Sequence, residues 1–413
     1  MIVLLLQSTL ICGVTWFLWK YFRRSIVKSP LDNLPGPPPQ SLWKGNLGQL
    51  YDRHGWDFYR EIGEKYGPVV KLNGMFGHKI LYIHDPKAMH SIIVKDQYTF
   101  EIASWAMKGN LAILGPGLLS TLGDHHRKQR KLLNPVFSIN HMRHMLPIFY
   151  QVTCQLRDAI ESRVRNGPAE IDMLGWMGRT ALELIGQAGL GYSFDPLVRD
   201  VPDAFGDAVK SLVPTLFEIA FFRRALPLVP EIGSPAFRRK VLGMLPIKGI
   251  QKLLAIVDTI HMRSTEIFVA KKDALLKGDE SILQQIGEGK DLMSILLKAN
   301  MAASVEDKLE EKELIAQMST FIFAAMDTTS NALALTLDLL SQHPDVQEKL
   351  RKEIVEARDG RDLPYDELVE LPYLDAVCRE TLRLHPLRPS FSGNHGRMLF
   401  YPSLNLSEAW TVQ

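Results

Sequence analysis

The sequence predicts a mainly α-helical fold with a small β region, preceded by one N-terminal transmembrane helix. Three observations carry this. A helical pattern from about Leu314 to Gln342 is apolar on nearly every side, and such a helix is a buried one. From Met142 to Asn300 almost everything reads as helix, broken by short Pro or Gly segments. One pair of short runs, Val69 to Leu72 and Ile80 to Ile83 around Asn73-Gly74, reads as a hairpin.

Composition narrows the function classes. The chain has 413 residues, 46% hydrophobic and 23% charged, with a net charge of +2. That is ordinary globular material with enough apolar residues for a core. Neither sign of charge dominates, so nucleic acid is not indicated as a partner. Cys12, Cys154 and Cys378 are too few and too scattered for a disulfide framework or a zinc site. A reducing compartment fits.

Taken in order, the elements begin with Ile2 to Trp19, which contains no charged residue. As a helix it would span about 27 Å, close to a bilayer's hydrocarbon thickness. Lys20, Arg23, Arg24 and Lys28 follow and would stay cytosolic. A cleaved signal peptide is the alternative, but the basic cluster follows the apolar run and no small-x-small site is evident. The reading is a signal anchor over residues 1–30. Leu34-Pro-Gly-Pro-Pro-Pro39 then makes a stiff extended segment that would set the globular part's distance from the membrane.

Trp56 to Tyr66 reads as a short amphipathic helix, and Asp85-Pro86 opens another. Glu101 to Leu122, with Gly115-Pro-Gly117, reads as a long loop, and long loops in compact domains are usually functional. A basic helix from Gly123 stops near Pro135. On it His126 and Arg130 share a face, a spacing equally compatible with a plain solvated helix. Ile171 to Gly189 and Ile250 to Leu276 are the longest helical stretches of the following region. Phe221 to Pro230 and Pro235 to Pro246 mix apolar and basic residues, which suits a membrane interface or a buried helix connection. Pro344 to Ala357 and Leu371 to Leu384 close the helical series.

The Leu314–Gln342 pattern has one interruption, Asp327-Thr-Thr-Ser-Asn331. Buried polar groups cost free energy unless they find partners. The cluster is therefore a local weakness or a working site lining a cavity. The small pair Ala324-Ala325 before it would let something bulky approach the backbone.

Each feature alone is weak, and their order carries the argument. An anchor, a Pro-rich hinge, a basic helix, a long helix with Ala-Ala-Met-Asp-Thr-Thr, then Glu380-Thr-Leu-Arg383 before Leu-His-Pro386 resemble the cytochrome P-450 family of membrane-anchored haem-thiolate monooxygenases. The resemblance spans Leu34 to Pro386, and Gly289 to Leu297 looks like fungal members. It implies a haem cofactor, an apolar small-molecule substrate oxidised by O2, and electrons from NADPH through a flavoprotein reductase. It also implies a single-pass protein of the endoplasmic reticulum membrane with a cytosolic catalytic domain, residues 31–386.

Position by position, Ala324 to Thr329 resembles the family's oxygen-binding groove, with Ala325 where Gly is usual. Asp327 and Thr328 would be the acid-alcohol pair that relays protons to bound dioxygen. Ala324, Ala325 and Thr328 would face the cofactor. His126 and Arg130 stand where members have Trp-x-x-x-Arg, the Arg pairing with a haem propionate. Glu380 and Arg383 match the structural Glu-x-x-Arg pair. Glu101 to Leu122 matches the loop lining the substrate pocket, and Arg127, Lys128 and Lys131 would help dock an acidic reductase.

The match fails after Pro386. The family's thiolate comes from a Phe-x-x-Gly-x-Arg-x-Cys-x-Gly loop that promotes O–O cleavage, and no such loop occurs here. Cys378 precedes Glu380 in the same helix, so no metal ligand is assigned. Residues 387–413 do not follow the family, as a shifted frame, retained intron or alternative splice would produce, or as a genuinely shortened product with its own end would. The Glu380–Arg383 pair would lack its third partner, a costly state if buried. The expectation is a monooxygenase by family whose present chain does not form a thiolate-ligated haem. The alternative is a non-catalytic membrane-anchored helical protein, such as a reductase decoy.

Overall fold

The computed structural model describes residues 11–13, 15–16, 19, 29–52, 55–195, 197, 204–219, 233–277, 290–385, 393–395 and 398–402. They belong to two compact units, one of Met1–Ala103 with Arg388–Gln413 and one of Ser104–Leu387.

The first unit carries the β region. Its elements are α1 (Leu47–Leu50), α2 (Trp56–Tyr66), β1 (Val69–Asn73), β2 (Lys79–Ile83), α3 (Pro86–His90), β3 (Glu101–Ile102), β4 (Gly393–His395) and β5 (Met398–Pro402). The hairpin forms as predicted, with Val69 opposite Ile83 and Asn73 opposite Lys79. Alternation sends Val70, Leu72, Ile80 and Tyr82 into a core shared with Phe58 and Ile62 of α2. The strand order is β1-β2-β5-β4-β3, and β2 pairs with β5 in parallel. Strands β4 and β5 come from the tail, where the sequence predicts no element.

The Pro-rich segment lies against β1 rather than standing free. The Lys71 N–H donates to the Pro35 carbonyl at 2.9 Å, and the Asn46 side-chain amide donates to Pro38 at 2.8 Å. The expected anchor, with its flank Lys20, Arg23, Arg24 and Lys28, falls mostly outside the described residues. Among the described residues no helix is long and apolar enough to cross a membrane.

The second unit is helical. Its elements are α4 (Ser104–Leu114), α5 (Gly123–Leu133), α6 (Ile139–Val164), α7 (Met173–Leu184), α8 (Ala204–Glu218), α9 (Pro235–Met244), α10 (Lys248–Lys277), α11 (Leu292–Ala302), α12 (Glu311–Gln342), α13 (Pro344–Arg358), α14 (Tyr365–Val369) and α15 (Pro372–Leu384). Helix α12 is the axis. Its Met318 and Ile322 join Leu182 of α7, Leu212 of α8, Phe268 of α10 and Leu296 of α11 in one core. Fully burying each such side chain contributes about 1.5–3 kcal/mol.

Three expectations are corrected. Glu101–Leu122 is not one loop, since α4 occupies Ser104–Leu114; its glycines mask a short apolar helix. Helix α6, at 26 residues, outruns the Ile171–Gly189 stretch because Pro147 is accommodated inside it instead of ending it. Helix α12 is buried only in its first half. Beyond Ala324 the side opposite the core opens, and Leu333 and Leu337 are 37% and 41% exposed.

Candidate active site

Helix α12 starts with a capping box. The Glu310 N–H donates to Glu313 Oε2 at 2.8 Å, which also sets a carboxylate at the positive end of the helix dipole. From there Glu313, Gln317, Thr320, Ala324 and Thr328 follow at intervals of four or three residues, so they lie along one side. The upstream members of that stripe are buried, whereas Ala324 and Thr328 are exposed and Ala325 and Asp327 half-buried. On the opposite side Met326 and Ser330 are buried. Met326 helps line a separate cleft of about 190 Å³ with Trp176, Arg179 and Asp195. The polar break therefore faces open space, and Asp327 and Thr328 are not smothered by packing.

Local bonding explains how the helix tolerates the break. Thr328 Oγ1 donates to the Ala324 carbonyl at 2.7 Å, and Asn331 Nδ2 donates to the Asp327 carbonyl at 2.6 Å. Such bonds one turn back hold hydroxyl and amide groups without a tertiary partner. The Asn331 amide also lies 3.4 Å from Asp327 Oδ1. A single side-chain rotation would turn the Thr328 hydroxyl from its own helix toward the open side.

Helix α5 carries the second group. His126 is half-buried, and burial followed by the neighbouring Arg130 charge pushes its imidazole below the ordinary range. It is thus neutral at physiological pH, with one N–H to donate. Arg130 is exposed; its carbonyl accepts the Asn134 N–H, and among the described residues its guanidinium makes no ion pair or hydrogen bond. The sequence reading missed its neighbours. His125 pairs with Glu313, and Gln129, fully buried, donates to Glu313 Oε1 at 3.1 Å and to the Pro116 carbonyl at 2.9 Å. No local signal marks these contacts, because their partners lie far along the chain.

On α15, Arg383 grips Glu380 in a bidentate pair, Nε to Oε2 at 2.7 Å and Nη2 to Oε1 at 2.6 Å. The hydrogen bond from Arg383 holds the Glu380 carboxyl below its usual range. Glu380 is exposed and Arg383 half-buried, so the cost of a fully buried pair missing a partner does not arise here. Among the described residues no hydrogen bond or ion pair joins Thr328 to the α15 pair or to His126 and Arg130; its hydroxyl bonds within its own helix.

A family model described as cytochrome P450 matches residues 35–393. The chain belongs to the cytochrome P450 family. It is 59% identical over 382 residues to cytochrome P450 monooxygenase 91 of Postia placenta, covering 92% of this chain and 70% of that protein. It is 54% identical over 376 residues to monooxygenase 81 of the same fungus, covering 91% and 69%. A ganoderic acid synthetase of Ganoderma lucidum is 49% identical over 382 residues, covering 91% of this chain and 70% of its own. The chain thus spans about 70% of the length of these relatives.

The family's cofactor is haem. The open strip of Ala324, Ala325 and Thr328 in this P450 suits a flat group laid on the helix, because small side chains permit close approach. None of the described cysteines fits as a thiolate donor. Cys378 lies on α15 between the Asp375 and Glu380 turns, and partial burial followed by the Asp375 charge pushes its thiol up. A ligating thiolate needs the opposite shift. Cys12 and Cys154 lie on exposed helical positions. Among the described residues no cluster of His, Cys, Asp or Glu could hold a metal.

Proposed function

We propose that this P450 derives from a monooxygenase acting on an apolar organic substrate, with its dioxygen-side machinery present on α12. The single observation supporting this is the exposed Ala324–Ala325–Thr328 strip on a helix whose other side is core. Haem, when bound, supplies dioxygen activation. Ala324 and Ala325 would set how closely a flat group approaches. Thr328 Oγ1 would release its bond to Ala324 and present a proton to the open side. The Asp327 carboxylate would return that proton from solvent. The neutral His126 would donate its N–H, and Arg130 would neutralise a propionate charge.

None of this chain's cysteines suits the thiolate role, so we expect no turnover from residues 1–413 alone. The test is to express the chain, add haem, reduce it and bind carbon monoxide. A Soret band near the position of a nitrogen- or water-ligated haem, or no haem uptake, agrees with this reading. A band displaced far to the red would overturn it.

The membrane and reductase assignments belong to the same proposal. On α9, Phe237, Val241 and Met244 share one side and are 53%, 42% and 74% exposed, among Arg238, Arg239 and Lys240. That pattern favours an interfacial helix, and it complements an anchor over residues 1–30 in an endoplasmic reticulum membrane. The neighbouring stretch 221–230 lies outside the described residues. Helix α5 presents Arg127, Lys128 and Lys131, a basic face for an acidic reductase. Arg127 pairs with Asp124 at 3.1 Å and Lys131 with Asp307 at 2.9 Å, which moderates its field. A reductase decoy is favoured over an enzyme if the chain binds the reductase without taking up haem.

A further inference from the structure

Gln129 uses every hydrogen-bonding valence of its side chain. Its amide nitrogen donates to the Pro116 carbonyl at 2.9 Å and to Glu313 Oε1 at 3.1 Å. Its oxygen accepts from Gln317 Nε2 at 3.1 Å and Thr121 Oγ1 at 3.2 Å. A flipped amide would set oxygen against oxygen at Pro116 and Glu313, and nitrogen against nitrogen at Gln317, so one orientation is fixed. Gln317, itself fully buried, accepts from the Leu118 N–H at 3.1 Å. The same three side chains therefore tie helix α5, the segment 115–121 and the start of α12 together.

The clamp sits on the stripe that leads to Thr328. Segment 115–121 is pressed onto α12 so closely that a Cβ on Gly117 would stand 2.7 Å from Thr320 Oγ1. Thr320 is 4% exposed beneath it, and one turn further Ala324 is open. The covered part of the stripe thus ends where the exposed part begins, roughly 6 Å along the helix.

We propose that Gln129, with Glu313 and Gln317, is a positioning residue. It holds segment 115–121 as an end wall of the space in front of Ala324 and Thr328, and fixes the α5 turn that bears His126 and Arg130. Calling that space a substrate pocket rests on the proposed function. The wall itself can be measured without cofactor.

The experiment uses the full chain and thiol labelling, with labelled sites located by peptide mass. Three reporters are made separately: Thr320→Cys under the wall, Ala324→Cys on the open strip and Ser264→Cys in the core, where Ser264 is fully buried. The background is either unaltered, Gln129→Leu or Gln317→Met. Expected results are slow labelling at 320 and fast labelling at 324 in the unaltered background. Either clamp substitution should speed labelling at 320 about tenfold, because it strands buried polar partners, with 324 and 264 unchanged.

The proposal is overturned if 320 labels as fast as 324 without any clamp substitution, or if both substitutions leave 320 slow. Should Gln129→Leu expose 264 as well, the milder Gln317→Met decides. Opening of 264 in both variants would make the cluster a general stability element and would also overturn the proposal. Haem uptake by the unaltered chain reads the proposed function separately, so the two can fail independently.

Discussion

Replacing Gly117 by alanine tests how the segment before α5 meets α12. The backbone at Gly117, φ −86° and ψ −174°, is one that alanine adopts freely, so any cost is steric. The added Cβ would lie 2.7 Å from Thr320 Oγ1, 2.9 Å from the Ala316 carbonyl oxygen and 3.1 Å from its carbon. Thr320 can rotate. The Ala316 carbonyl cannot move without bending a 32-residue helix. Relief must come from lifting the segment, which also stretches the Leu118 to Gln317 bond. Overpacking of this kind costs about 1–3 kcal/mol, offset by about 0.4–1 kcal/mol of unfolded-state entropy.

The expected net loss is about 1–2 kcal/mol, read as a lower urea midpoint by tryptophan fluorescence, with buried Trp176 as reporter. Gly243→Ala on α9 is the control. Nothing lies within 4 Å of its Cβ, so it should gain about 0.5–1 kcal/mol. Gly117→Ala matching or exceeding the stability of the unaltered chain would refute the close docking.

Acid should act on the same region. Burial alone would raise the Glu313 carboxyl, but the Glu310 N–H, the Gln129 amide and His125 outweigh it and hold it below the ordinary 4.5. The folded-state value is depressed, so its contribution is full above about 4.5 and is lost as pH falls through the folded value. Glu313→Gln should flatten that acid limb in urea midpoints taken between about pH 3 and 7, and an unchanged limb would remove Glu313 as its source. Glu380→Gln should leave the urea midpoint nearly unchanged, since its pair with Arg383 is solvent-screened; a clear drop in that midpoint would show that the pair is enclosed. Phe237→Ser with Met244→Ser should weaken sedimentation of a chain lacking residues 1–30 with anionic vesicles at least threefold, and equal binding would exclude α9 as an interfacial helix.

Local chemistry made the long elements legible. Trp56–Tyr66, the hairpin of β1 and β2, and α12, α13 and α15 follow their apolar periods and end at their Pro, Gly or His-Pro signals. Helix α4 escaped notice because Gly109 and Gly115 frame it as a loop. The site was half legible. The break at Asp327–Asn331 announces itself as polar residues in an apolar helix, and its exposure follows from that. The clamp does not announce itself. Gln129, Glu313 and Gln317 look like surface residues until the chain folds and places them 3.1 Å apart. Burial of a polar side chain is set by distant partners, and one-dimensional periodicity cannot supply them.

The parallel union of β2 with β5 has a consequence for biosynthesis. Ile80 waits for Leu399, roughly 300 residues later, and at ~5–20 residues per second a ribosome needs some 15–60 seconds to deliver it. Throughout that interval one flank of the nascent hairpin offers bare amides and carbonyls to any passing strand. Until β5 arrives, that flank is the part of the hairpin most open to edge-to-edge pairing with another chain.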